Sequence, residues 1–68
     1  MAASSDFAEL SSLRAQLDDL AARVVAVGDR YRDSDESAIS SEVDQAERLL
    51  LNAVRSLDRA TGLLADAR

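Results

Sequence analysis

The sequence predicts an all-α fold: an antiparallel two-helix hairpin that dimerises into a four-helix bundle. Three observations carry that expectation. Two apolar stripes each alternate three- and four-residue intervals, the spacing that holds one side of an α-helix against another helix. The stripes are out of phase with each other, so one straight helix cannot serve both. The composition also reads as helix, not sheet: no proline, glycine only at Gly28 and Gly62, and abundant Ala, Leu, Arg, Asp and Glu.

The first stripe is Leu10, Leu13, Leu17, Leu20, Val24, Val27 and Tyr31. Asp6 followed by Glu9 looks like a helix start, a side-chain acceptor with a carboxylate three residues later, so helix 1 is expected over 6–31. Gly28 is either the residue that ends this helix or an interior glycine tolerated at about 1 kcal/mol. The register of Tyr31 favours the second reading. Asp19 and Arg23 stand four apart in the order that adds a few tenths of a kcal/mol to a helix. Ala8, Ala15 and Ala22 form a stripe of small residues on the side away from the leucines, with Ser11, Ser12 and Ala26 near it.

Continuing the first register past Tyr31 places Ser34, Ala38, Ser41, Gln45, Arg48, Asn52, Arg55 and Arg59 on the seam, nearly all polar. The chain must therefore break between about Asp29 and Ala38, and residues 32–37 are polar turn and cap formers. With the turn at 32–35, helix 2 is expected over 35–66, capped by Asp33 with Glu36 or by Ser41 with Asp44. Its stripe has a bulky row (Val43, Leu50, Leu57, Leu64) and a small row (Ala46, Ala53, Ala60, Ala67, led by Ile39). Leu49, Leu51, Val54 and Leu63 widen the apolar arc beyond what one neighbouring helix can cover.

Sixty-eight residues form at most one small domain, and a chain of that size needs disulfides, metal or association to be stable. Cysteine and histidine are both absent, which removes disulfides and the commonest metal ligands and leaves association. The expected core and dimer interface is Leu10, Leu13, Leu17, Leu20, Val24, Val43, Leu50, Val54, Leu57 and Leu64. Leu49, Leu51 and Leu63 are the expected contacts to another helical protein.

Catalysis has little to work with. There is no histidine, cysteine or lysine to act as base, nucleophile or Schiff-base former, and the serines cluster where caps and turns are needed. Asp33, Asp35 and Asp44 match positions 1, 3 and 12 of a calcium loop, but Ala38 stands where the loop needs glycine and Ser40 where it carries an apolar residue. No enzyme activity, cofactor, metal or small-molecule substrate is expected. The net charge of −5 argues against nucleic acid or an anionic membrane surface as partner. All eight basic residues are arginine, consistent with a GC-rich bacterial genome. Without a basic start before an apolar run, or any stretch able to span a bilayer, the expected location is cytoplasmic.

One short stretch is distinctive. Tyr31-Arg32-Asp33-Ser34-Asp35, a Tyr-x-x-x-Asp element after an alanine- and leucine-rich helix, resembles the export signal of small helical-hairpin proteins secreted by actinobacterial type VII (ESX-type) systems. The resemblance covers about ten residues around Tyr31 and Asp35, and implies that this pair is read by a secretion machinery, with export lacking a cleavable signal peptide. The family's Trp-x-Gly turn has no counterpart, and a whole helix follows the element instead of preceding it. The expected function is a small interaction module (adaptor, assembly factor or regulator) acting through helix-face packing. A secreted hairpin and a regulator that sequesters a transcription factor are the alternatives.

Overall fold

The computed structural model describes residues 2–67, with side chains from Ser5 onward. It contains two α-helices, α1 (Ala2–Asp29) and α2 (Ser37–Ala67), and no strand among the described residues. They lie side by side as a hairpin with a Cα radius of gyration of 15.6 Å and extents of 53 × 14 × 11 Å. A compact domain of this length would have a radius near 11 Å, so the chain is a two-helix rod and not a ball.

The helix limits differ from those expected at both ends. The first helix begins at Ala2, ahead of Asp6, which makes Asp6 an interior residue and not its cap. Its α-helical part stops at Asp29 instead of Tyr31. The chain then tightens: the amides of Arg30, Tyr31 and Arg32 donate to the carbonyls of Val27, Gly28 and Asp29, three residues back. This narrower winding still carries Tyr31 to a half-buried position. Gly28 is not a left-handed terminator, since no glycine has positive φ. Its role is steric: a Cβ built there would stand 2.9 Å from Val43 Cγ1 and 3.4 Å from Val43 Cβ. The missing side chain is what lets α2 pass close by.

The second helix starts at Ser37, two residues later than expected. The acceptor in the turn is Ser34, not Asp33: Ser34 Oγ accepts from the Glu36 amide at 3.0 Å and donates to the Tyr31 carbonyl at 2.9 Å. One hydroxyl thus ties the end of the first element to the approach of the second. This local competition for backbone groups is why serine suits such turns.

The contact between the helices is thin. Ala21 (4% exposed) and Val54 (6%) are its buried apolar residues, and among the described residues no large side chain is fully buried. Around them Leu10, Leu17, Val24 and Tyr31 of α1 and Val43, Leu50, Leu57 and Leu64 of α2 are only half-buried. The row of α1 that closes on α2 is Phe7, Arg14, Ala21 and Gly28, and on α2 the matching row is Ser40, Glu47, Val54 and Thr61. Leu13, Leu20 and Val27, expected on the seam, are exposed, as is Ile39. The expected seam is therefore rotated on both helices.

Candidate interaction surface

Which flanks of the two helices share a face follows from one ion pair. Arg14 donates through Nε to Asp58 Oδ1 (2.8 Å) and through Nη2 to Asp58 Oδ2 (3.4 Å), with Nη1 on Asp18 at 3.2 Å. The two-pronged fit of guanidinium to carboxylate fixes orientation as well as distance. The Arg14 pKa is raised above the usual arginine value, first by the hydrogen bond to Asp58 and then by the charges of Asp58 and Asp18.

At about 100° per residue, Arg14 and Asp18 lie some 20–60° to one side of Ala21, while Leu13, Leu20 and Val27 lie some 80–120° to the other. Centred on Val54, Asp58 and Asp44 fall some 40–80° to one side, and Ile39, Ala46, Ala53 and Ala60 some 60–120° to the other. Because Arg14 reaches Asp58, the two charged flanks share one face of the hairpin. The two apolar flanks must then share the opposite face.

The charged face is continued at the turn end. Arg32 donates through Nη2 to Asp29 Oδ1 at 2.9 Å, and through Nη1 and Nη2 to Asp44 at 3.4 Å. Its pKa is likewise raised, by the hydrogen bonds to Asp29 and Asp44 before their charges. Asp44, four residues before Arg48, is taken by Arg32, and Arg48 donates to Gln45 Oε1 at 2.9 Å. Arg55 and Arg59 also bond locally, to Asn52 and Ser56. The Asp19–Arg23 pair forms at 3.9 Å on the exposed surface.

The apolar face is the one feature that sets this surface apart. Leu13, Leu20 and Val27 line it on α1, and Ile39 stands on α2 with the row Ala46, Ala53 and Ala60. Leu49, 58% exposed, stands at its outer edge on α2, and Leu63, 72% exposed, points away from α1 on the back of α2. Leu51, expected beside them as a partner contact, is half-buried on the charged flank and does not belong to this face. Of the expected core, Leu10, Leu17, Val24, Val43, Leu50, Val54, Leu57 and Leu64 gather at or beside the helix contact, whereas Leu13 and Leu20 turn outward. The small stripe Ala8, Ala15 and Ala22 is exposed and lies toward the charged face.

Tyr31 and Asp35, the pair in the secretion-like element, sit in the connection between the helices, Tyr31 half-buried and Asp35 exposed. A shallow depression of about 460 Å³ is lined by Ser12, Ala15, Gln16, Asp19, Leu20 and Arg23, all from α1. A hollow walled by one helix cannot enclose a small molecule as a functional pocket does. Among the described residues no group of three Asp, Glu, His or Cys side chains is placed to hold a metal ion. Among the same residues no helix is long and apolar enough to cross a membrane. No protein-family model matches this chain, and neither does a curated protein or a solved structure.

Proposed function

We propose that this chain is a protein–protein interaction module that works through helix-face packing, and that a second copy of itself covers its apolar face in a four-helix bundle. A single observation carries the reading: the leucine row that the hairpin leaves outside and the alanine row beside it lie on one face, while the ion pairs that join the two helices lie on the other. An isolated pair would gain most by turning both apolar stripes inward. Here each stripe points between the neighbouring helix and the open face, the direction of the central axis in a bundle of four.

Surface area supports it. A compact monomer of 7.3 kDa exposes about 4,200 Å². This hairpin exposes 4849 Å², an excess of roughly 700 Å². A stable interface covers about 800 Å² on each partner, so one more hairpin is enough cover. In this reading the module has no catalytic step, and what it assembles with beyond itself is another helical surface.

The test uses Leu20→Asp, at a position the lone hairpin already exposes. Light scattering after size exclusion should give about twice 7.3 kDa for the native chain and 7.3 kDa for the variant. A native mass of 7.3 kDa at micromolar concentration with full helicity would refute self-association.

A further inference from the structure

We infer that the two hairpins stack head to tail, with α1 against the partner's α1, α2 against the partner's α2, and the two turns at opposite ends of the bundle. The inference rests on the self-association just proposed and specifies its geometry. Two apolar faces related by a twofold axis can meet in only two ways. An axis along the rod lays α1 on the partner's α2 with both turns together. An axis across the rod lays like helix on like helix with the turns apart. Three features of the hairpin choose the second.

The first is the reach of α2. Arg14 lies level with Asp58, and Gly28 with Val43 and Asp44. On that scale Ile39 is level with the turn near Asp33, beyond the end of α1 at Asp29. With the turns together, the exposed Ile39 would face the partner's charged turn. With the turns apart, α2 runs antiparallel to itself about Ala53. Ile39 then meets the partner's Leu64 and Ala67.

The second is the edge of the apolar face on α1. Glu9, Gln16, Arg23 and Arg30 recur every seven residues beside the leucine row, acidic at one end and basic at the other. Running antiparallel to itself about Leu20, this edge sets Glu9 against the partner's Arg30 at both ends. With the turns together, Glu9 is instead level with the partner's Leu63 and Arg23 with its Leu49. Charge patterns of this kind set register and orientation more than affinity.

The third is the charge of the turn end. Residues 29–45 hold six acids against two arginines. Placing two such segments side by side concentrates like charge, whereas stacking head to tail separates them by nearly the length of the rod. The alanine row gains a role in this arrangement: Ala53 faces its own copy, Ala46 faces the partner's Ala60, and two α2 helices can approach closely where no side chain is larger than a methyl group.

The chain has no cysteine, so a single introduced thiol is unambiguous. Nitroxide labels on Asp33→Cys, an exposed turn position, should give an intermolecular distance of about 40–45 Å, some 14 residues of helix either side of the centre. Turns at the same end would give less than about 25 Å, since packed helix axes lie only about 8–10 Å apart. In parallel, oxidised Ala53→Cys should form a disulfide-linked dimer, which needs Cα atoms within about 7 Å. A short label distance, with cross-linking only between Leu20→Cys and Ala53→Cys chains, would overturn the head-to-tail order yet leave self-association standing. A monomer mass in light scattering with no dipolar coupling would overturn both.

Discussion

The two glycines offer a sharp test of the packing, because the same substitution should stabilise at one and not at the other. Gly62 lies inside α2 with nothing within 4 Å of where a Cβ would be. Alanine there gains the full difference in helix propensity, about 1 kcal/mol, and meets no neighbour. Gly28 lies in the last turn of α1, where the gain is at most that large. Its Cβ would come within 2.9 Å of Val43 Cγ1, well inside the roughly 3.5–4.0 Å of a favourable carbon–carbon contact. Valine is β-branched and stiff at χ1 in a helix, so that methyl cannot swing aside as the tip of a long side chain would. The helices must part instead, and overpacking of this sort costs about 1–3 kcal/mol.

Gly28→Ala should therefore be neutral to about 2 kcal/mol less stable, and Gly62→Ala about 1 kcal/mol more stable. For a chain of this size each kcal/mol moves the melting temperature by about 4–8 °C. Thermal unfolding followed by far-ultraviolet circular dichroism at one fixed protein concentration resolves the two, the concentration being held because association contributes to the midpoint. Val43→Ala in the Gly28→Ala background should recover part of the loss, a coupling of about 0.5–3 kcal/mol between the sites. If Gly28→Ala raises the melting temperature as much as Gly62→Ala does, the close approach of α1 to Val43 is not part of the fold in solution.

The other predictions follow the division into faces. The double variant Leu50→Asp/Leu57→Asp, which sets two carboxylates beside Val54, should lose its helical signal altogether, because unpaired charge is costly away from water; native helicity and native mass would contradict this. Leu13→Ser should shift the association equilibrium toward monomer while Leu51→Ser should lower the melting temperature instead, and equal effects on association would deny the two-faced arrangement. Arg14 holds its proton more tightly than a free arginine, so the stability it contributes is fully present below the ordinary arginine pKa and is lost only as pH rises through the raised value. The difference in melting temperature between the native chain and Arg14→Gln should accordingly stay constant from about pH 7 to 11; a difference that vanishes within that window would mean the Asp58 bond is not made.

Two helices and a break between them were legible in the chain because periodicity and turn residues agree: the stripes change phase where Asp33, Ser34, Asp35 and Glu36 cluster. The exact limits were less so. Tyr31 keeps the heptad phase through tight i+3 winding as well as it would through a longer α-helix, and the alternation alone does not distinguish the two. The rotation of the seam was illegible for a different reason. The contact between α1 and α2 is made by Ala21, Gly28 and the bridging Arg14 on one side, and by Ser40 and Val54 on the other. Small and charged residues carry little hydrophobic signal, so a reading that follows leucine assigns the contact to Leu13 and Leu20 instead. The Arg14–Asp58 bond spans 44 positions and leaves no local trace at all.

That misassignment is itself informative about what the leucines are for. Leu10, Leu17 and Val24 stand at the edge of the α1–α2 contact, and Leu13, Leu20 and Val27 stand about 60° further out, so the stripe they form together is aimed past α2. The same holds on α2, where the row from Val43 to Leu64 borders the contact and the alanine row lies about 60° further toward the open face, with Ala53 and Ala60 half-buried and Ala46 exposed. A chain whose only task was to close on one neighbour would put its bulkiest row at the centre of that contact. Here the centre is held by alanine, glycine and valine, which draws the two helices together, while the bulk is set where it can fill the axis of a larger bundle. Replacing Ala21 with leucine should therefore damage the hairpin by forcing its helices apart, and replacing Leu20 with alanine should leave the hairpin intact but weaken association. If instead Leu20→Ala melts the helices at concentrations where the native chain is monomeric, the leucine row serves the hairpin itself and the case for a second copy loses its physical basis.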